Sequence, residues 1–221
     1  MNYPYGLLPD AWLWTASAIF ALIFIYTLLT CPWRQIQANH IMHAYLGSCV
    51  ALLLLWSIRS NVIPGLEYHY LGATLLTLMF GWRLAFIALS IVLAGLVING
   101  GSDWQSYPLN ALLMGLLPSL LSYFIYRMVD RHLPNHFFVY VFVNAFFGAA
   151  LVLTGTLLLA ILIMLLGEIH SWPEIRRDYL PFIPLMVFPE GFITGLLITI
   201  MVVMCPDWVN TFDDHRYLDG K

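Results

Sequence analysis

The longest uncharged apolar segment, residues 137–167, most constrains what this chain can fold into. It is 31 residues long, whereas about 20 apolar residues already cross the roughly 30 Å of bilayer hydrocarbon. A run of this length predicts one long, tilted membrane helix rather than a helix in a soluble core.

The composition supports the same class of protein. Of the 221 residues, 61% are hydrophobic and 10% are charged, whereas soluble domains carry about 25% charged residues. A soluble globule of this size cannot bury so much apolar surface, so the chain is predicted to be an all-α integral membrane protein. The basic residues are few and scattered, which excludes nucleic acid as a partner and leaves membrane lipid. The cysteines Cys31, Cys49 and Cys205 have no CxxC spacing and indicate neither disulfides nor zinc.

Further apolar runs predict a single transmembrane domain over residues 11–206. Residues 1–10 contain Pro4, Gly6 and Pro9 and predict an irregular N-terminal arm, while residues 207–221 predict a polar cytoplasmic tail. Charged residues at 127, 130 and 131 predict the end of the fifth helix, and residues 170–179 predict an interfacial segment. About seven transmembrane helices are expected, at 11–33, 35–58, 67–81, 84–98, 108–126, 137–167 and 181–205.

The distribution of basic residues predicts the orientation of these helices. An outside N-terminus and a cytoplasmic C-terminus place six basic residues in inner segments and three in outer ones. The inner residues would be Arg34, Arg83, Arg127, Arg131, Arg216 and Lys221, and the outer ones Arg59, Arg176 and Arg177. This arrangement gathers the N-terminal arm, residues 64–72, the loop at 99–103 and residues 170–179 on one outer face, where we predict a binding site.

Residues 64–72 carry a carboxylate and an imidazole at the mouth of a membrane helix. Ionisable groups at such positions are functional candidates because burying them is costly. His69 either binds a metal or substrate, or caps the helix and bonds a loop carbonyl, and both interpretations remain open. His40 and His43, three residues apart, form either a metal pair or an interfacial polar face.

Glu190 lies within the last apolar run, directly after Pro189. It either holds a kinked helix to a neighbour by hydrogen bonds, or supports an ion site with its carboxylate. Arg59 is a candidate partner for Glu190 or for Glu67. The sequence contains no nucleotide-binding or hydrolase motif, so the chain is predicted not to be an enzyme, and any ATP hydrolysis would need a partner subunit.

Four segments, taken in order, carry a family resemblance. They are the opening Met-Asn-Tyr-Pro-Tyr-Gly-Leu-Leu-Pro, the turn from Pro64-Gly65 to His69-Tyr70-Leu71-Gly72, Asn110 with Met114-Gly115, and the segment Glu190-Gly191-Phe192-Ile193-Thr194-Gly195. Together they resemble the cobalt/nickel-specific substrate-binding permease family of energy-coupling-factor (ECF) ABC transporters. This resemblance implies seven helices, an N-terminal arm inserted into the bundle, a bacterial inner (plasma) membrane, and separate transmembrane coupling and ATPase subunits as partners.

The resemblance also implies a metal site. In the family, the ligands are the amine of the first residue, the amide nitrogen and imidazole of the second, and the histidine of the third-helix motif. The matching positions are Met1, Asn2 and His69. Asn2 replaces the imidazole that helps a nitrogen-rich site to select Ni(II) or Co(II), and Glu67 is our own candidate for the missing donor.

The sequence leaves two other functions open. One is a divergent member that no longer binds metal and serves as an accessory or assembly subunit of another membrane complex. The other is a membrane enzyme or haem anchor using His40, His43 or His69. Haem needs histidines at similar depth, whereas His40 and His69 are predicted near opposite faces.

Overall fold

The computed structural model describes residues 3–37, 39–58, 60–63 and 66–217, and the side chains at 39, 40, 60–63 and 66–68 are not described. The described part of the chain is helical apart from one short antiparallel hairpin, β1 with β2. The elements are α1 (Asp10–Thr30), α2 (Asn39–Ser57), β1 (Ser60–Ile63), β2 (Leu66–Tyr68), α3 (Ala73–Phe80), α4 (Trp82–Ile98), α5 (Tyr107–His132), α6 (Phe137–Leu166), α7 (Trp172–Asp178), α8 (Ile183–Met204) and α9 (Asp214–Tyr217).

Four helical segments of the described chain are long and apolar enough to cross a membrane. They are Asp10–Thr30, Tyr107–His132, Phe137–Leu166 and Trp172–Met204, and the shorter apolar helices Ile41–Ser57 and Trp82–Ile98 accompany them. The helical membrane architecture therefore agrees with the sequence, while the number of crossings and the orientation stay predictions.

The helix α3 is shorter than expected and lies in the centre of the bundle. The sequence predicted a helix from Glu67, and this start was wrong, because Leu66–Tyr68 is a strand and the helix begins at Ala73. Eight residues rise only about 12 Å at 1.5 Å each, too little for a crossing. All eight are buried. A turn at Gly81, with φ +83°, reverses the chain into the packed neighbour α4.

The helix α1 shows the opposite pattern. Only Leu13, Ala16 and Thr27 are buried along its 21 residues. Most of its other residues are apolar and exposed, which fits a helix facing lipid.

The helices α5 and α6 each contain a wide π-helical stretch, at Leu112–Leu116 and Tyr140–Phe147. The predicted end of α5 near residue 126 was wrong, since the helix continues to His132. Arg131 and His132 in the last turn favour the negative end of the helix dipole. Asp130 is neutralised by an ion pair with Arg216, so these charges extend the helix rather than stop it.

Close packing of α6 against α8 depends on glycine. A Cβ at Gly191 would lie 2.8 Å from the carbonyl oxygen of Phe146, and one at Gly195 would overlap the Phe146 ring. Small residues allow membrane helices to approach each other this closely.

The C-terminal segment packs onto the end of α3, although its composition is polar. Val209, Phe212 and Tyr217 are buried. The amide of Asn210 donates to the Met79 carbonyl oxygen at 2.9 Å. These contacts cover the last turn of α3, where helix carbonyls lack partners within the helix.

Candidate functional site

The N-terminal arm is anchored inside the bundle by Tyr3. Its backbone N–H donates to Asn110 Oδ1 at 2.9 Å, and Asn110 Nδ2 donates to the Tyr3 carbonyl oxygen at 3.2 Å. The Tyr3 hydroxyl donates to the Ala160 carbonyl oxygen at 2.8 Å, and the residue is 1% exposed. One buried amide side chain therefore holds both backbone polar groups of a single arm residue, and Asn110 has a structural task that its sequence position alone does not reveal.

A second contact fixes the arm to the loop before α5. The backbone N–H of Tyr5 donates to Asp103 Oδ2 at 2.8 Å. Asp103 was not a candidate at the sequence level, because a single carboxylate in a glycine-rich loop gives no signal of its partner.

The chain from His69 to Gly72 forms the irregular segment that leads into α3. His69 Nδ1 lies 3.2 Å from the Tyr70 carbonyl oxygen. A carbonyl oxygen only accepts hydrogen bonds, so Nδ1 carries the proton in a neutral ring and Nε2 carries the lone pair. Nε2 is buried. This tautomer is the one in which an imidazole can ligate a metal through Nε2.

The indole ring of Trp56 packs against the imidazole ring of His69. The two ring centroids are 4.6 Å apart with an interplanar angle of 46°, and Trp56 is fully buried at the end of α2. Its indole N–H has no hydrogen-bond partner within the described chain. The contact joins the end of α2 to the segment before α3, so only the fold reveals it.

Glu190 clamps the segment that follows His69. Its Oε2 accepts from the Leu71 amide at 2.7 Å, and its Oε1 accepts from the Gly72 amide at 2.9 Å. Glu190 is 3% exposed, and hydrogen bonds to both oxygens offset part of the cost of burying a carboxylate. The interpretation of Glu190 as a hydrogen-bonding link to a neighbouring element is the one that this geometry supports.

A second link joins the same elements one helical turn further along α8. The hydroxyl groups of Tyr70 and Thr194 are 2.8 Å apart, and Thr194 is fully buried. Sequence reasoning missed the partnership, although Thr194 belongs to the segment that carries the family resemblance.

The arm and the His69 segment lie at the same end of the bundle. The helices α3 and α4 form a hairpin that turns at Gly81, so the start of α3 and the end of α4 share one end. The loop after α4 leads directly into the start of α5, where Asn110 holds Tyr3. The fold thus brings Tyr3 and His69, 66 positions apart in the sequence, to one end of the molecule.

Several predicted site residues fall outside this description. Met1, Asn2 and Arg59 lie outside the described residues, and of Glu67 only the backbone, within β2, is described. Among the described residues there is no group of three or more His, Cys, Asp or Glu side chains placed to hold a metal ion.

Among the side chains that the structure describes, His43, His132 and His136 have separate surroundings and do not converge on one site. His43 lines an apolar cavity of about 430 Å³ between α2 and α8. His132 Nδ1 lies 2.9 Å from the Met128 carbonyl oxygen, and His136 Nδ1 accepts from the Phe138 amide. His40 is one of the residues whose side chain is not described.

Apolar helices around a polar, histidine-bearing end define a helical membrane protein. The family model for the cobalt uptake substrate-specific transmembrane region, CbiM, matches residues 2–208. The chain therefore belongs to this family of transporter components for metal uptake.

Solved structures share the fold. The crystal structure of a truncated transition metal transporter matches with a TM-score of 0.71 and 19% identity, covering 92% of this chain and 99% of that one. The crystal structure of a transition metal transporter matches with the same TM-score and identity, covering 91% and 92%. No curated protein matches the sequence.

Proposed function

We propose that this protein is the substrate-specific membrane component of an ECF-type ABC transporter that takes up Ni(II) or Co(II). It resides in a bacterial inner membrane and performs no catalysis itself. A transmembrane coupling subunit and ATPase subunits supply the energy. Family membership and the arrangement at the His69 end of the bundle support the proposal.

The single observation that carries it is the orientation of His69. The Tyr70 carbonyl oxygen holds Nδ1–H, and Trp56 packs against the ring, so the imidazole is fixed in the tautomer that ligates through Nε2. Imidazole nitrogen is a preferred ligand for late first-row metals. An imidazole already held in place loses little side-chain entropy when it binds the ion.

The other ligands in this proposal come from the beginning of the chain. Asn110 anchors the peptide at Tyr3, and two further residues reach at most about 7 Å along an extended chain. The amine of Met1 and the amide nitrogen of Asn2 are therefore proposed to join His69 as three nitrogen donors.

The fourth donor distinguishes this chain from the family pattern. Asn2 offers a side-chain oxygen in place of an imidazole nitrogen, and Glu67 is the other candidate. An oxygen donor weakens the preference for Ni(II) and Co(II) over harder cations, so we propose lower affinity and broader metal choice than an all-nitrogen site would give.

Titration of purified protein with Ni(II) and Co(II) tests the proposal. The wild-type chain with an unmodified N-terminus should bind one ion, whereas His69→Ala and a version with residues added before Met1 should bind at least about 10-fold more weakly, since each loses one donor. The matched control is His43→Ala, which removes an imidazole from the α2 cavity and should bind like wild type.

The alternative is a family member that no longer binds metal and acts as an accessory or assembly subunit. The asparagine at position 2 favours it. Equal binding by the wild type, His69→Ala and the N-terminally extended protein would reject the metal site and support this alternative.

A further inference from the structure

The exposed end of α5 combines cationic and apolar side chains on one face. Phe124, Arg127, Met128 and Arg131 follow each other at i, i+3, i+4 and i+7, which places them on one side of the helix. With Asp130 and His132 they line a surface pocket of about 570 Å³. We call these six residues the α5 pocket.

The charge of the α5 pocket is positive because its carboxylate is already neutralised. Asp130 forms an ion pair with Arg216 and accepts a hydrogen bond of 3.4 Å from the Tyr217 hydroxyl. Within the part of the chain that the structure describes, Arg127 and Arg131 have no ion-pair partner. Two guanidinium groups are thus available to an anion, and arginine binds phosphate oxygens through two parallel N–H donors.

The apolar residues of the α5 pocket are exposed, and Phe124 lies deeper along the helix than either arginine. Phe124 is 63% exposed and Met128 is 48% exposed. The helix is one of those long and apolar enough to span a membrane, and it ends at His132. From Phe124 to Arg131 the rise is about 10 Å, which is comparable to the step from the outermost hydrocarbon to the headgroup layer.

We propose that the α5 pocket binds an anionic phospholipid. The phosphate pairs with Arg127 and Arg131, and the first part of an acyl chain lies along Phe124 and Met128. This combination favours a lipid over an acidic protein segment, because the exposed Phe124 lies on the hydrocarbon side of both arginines and Met128 lies between them. Carbonyl groups near the C-terminal end of a helix repel an anion. Here the Leu133 amide donates to the Val129 carbonyl oxygen, and His132 Nδ1 lies 2.9 Å from the Met128 carbonyl oxygen, so both carbonyl groups have a polar neighbour.

Binding of dioleoylphosphatidylglycerol to the full-length protein in neutral maltoside micelles, followed by native mass spectrometry, tests this site. The wild type should retain this anionic lipid in preference to dioleoylphosphatidylcholine. Each single change, Arg127→Gln or Arg131→Gln, should weaken phosphatidylglycerol binding about 5-fold and the double change about 30-fold, from the usual worth of a basic residue near anionic lipid. Retention of phosphatidylcholine should not change.

The matched control is the double variant Arg34→Gln with Arg176→Gln, which removes two exposed arginines elsewhere and should bind phosphatidylglycerol like wild type. Phe124→Ser should weaken retention of both lipids, because it removes the acyl contact. All of the variants alter exposed side chains, and their thermal unfolding in detergent should match the wild type.

Three results would overturn the proposal. The first is unchanged phosphatidylglycerol binding by the Arg127 and Arg131 double variant. The second is complete competition by millimolar inorganic phosphate, which would assign the pocket to a free anion. The third is lipid binding that persists in the double variant while co-purifying protein subunits are lost, which would assign the surface to a protein partner.

Discussion

At the scale of single residues, two buried polar side chains organise the candidate site without being proposed as ligands. Asn110 binds the arm through both groups of its amide, and Glu190 binds two successive backbone amides ahead of α3. Both hold backbone rather than substrate. Their partners lie 107 and 119 positions away for Tyr3 and Leu71, so the site depends on long-range contacts.

Substitution Asn110→Ala should release the arm. It removes the acceptor for the Tyr3 amide and the donor to the Tyr3 carbonyl, and each net hydrogen bond contributes about 1 kcal/mol. Hydrogen exchange at Tyr3 and Tyr5 should become faster, and Ni(II) or Co(II) affinity should fall about 10-fold, in line with the loss of the same hydrogen bonds.

The control for this change is Asn144→Ala, which removes a buried amide side chain of α6 that lies 16 residues before the Tyr3 contact at Ala160. Hydrogen exchange at the arm should then stay as in wild type. Equal exchange at Tyr3 in the two variants would show that Asn110 does not anchor the arm.

Substitution Glu190→Gln should loosen the segment after His69. A carboxamide has one acceptor oxygen, so one of the amides of Leu71 and Gly72 would face an NH₂ group instead. An unsatisfied buried donor costs about 1–3 kcal/mol. Thermal unfolding in detergent should shift down, with faster exchange at Leu71 and Gly72.

The same chemical change at an exposed carboxylate, Glu174→Gln, provides the comparison. Glutamine also serves in the capping box that Glu174 forms with Ser171, so stability should change by less than about 0.5 kcal/mol. A Glu190→Gln protein as stable as this control would show that the two hydrogen bonds from the Leu71 and Gly72 amides to Glu190 do not stabilise the fold.

At the scale of elements, α3 is held at both ends. Glu190 binds the amides that precede it, while the Leu78 carbonyl oxygen accepts from Thr211 Oγ1 at 2.7 Å and the Met79 carbonyl oxygen accepts from Asn210. A helix of eight residues is marginal by itself. Burial on every side and these terminal bonds explain why it persists.

The junction between the His69 segment and α3 requires glycine. Gly72 has φ +70°, and an added Cβ would lie 2.6 Å from Leu52 Cδ2. Gly72→Ala should therefore lower the free energy of unfolding by about 1–2 kcal/mol from the left-handed conformation alone. Thermal unfolding in detergent measures the loss.

Gly47→Ala is the matched control, because Gly47 lies within α2 and an added Cβ there meets nothing within 4 Å. Alanine in a helix interior should stabilise the protein by up to about 1 kcal/mol. A melting temperature for Gly72→Ala equal to or above that of Gly47→Ala would show that position 72 does not require glycine.

At the scale of the whole molecule, peripheral and central helices have different roles. The helix α1 presents apolar side chains to lipid, while α3 and most of α4 are enclosed. The polar contacts gather at the two ends of α3, with the His69 segment at one and the C-terminal segment at the other. An orientation with the N-terminus outside would place His69 on the outer side of the membrane, from which an ion is taken up.

Labelling of introduced cysteines tests this orientation. In a background without Cys31, Cys49 and Cys205, we expect Gln105→Cys to react with a membrane-impermeant maleimide in intact cells. Asp214→Cys should react only after the membrane is permeabilised. Both side chains are exposed in the fold, and the reverse pattern would invert the predicted topology.

The sequence by itself determined the membrane class, the approximate positions of most apolar helices, and His69 as the candidate ligand. Hydropathy and charge are local properties, so uncharged runs and a histidine beside one can be recognised without a fold. Helix boundaries were less predictable: α3 begins six residues later than expected, after a strand, and α5 continues past three charged residues.

Only the tertiary structure decided which side chains act together. The contact of Trp56 with His69, the clamp by Glu190 and the anchoring of Tyr3 by Asn110 all join residues from different elements. Buried backbone amides and polar side chains must find partners wherever packing brings them. Those pairings are fixed by the whole bundle, and no local pattern in the sequence specifies them.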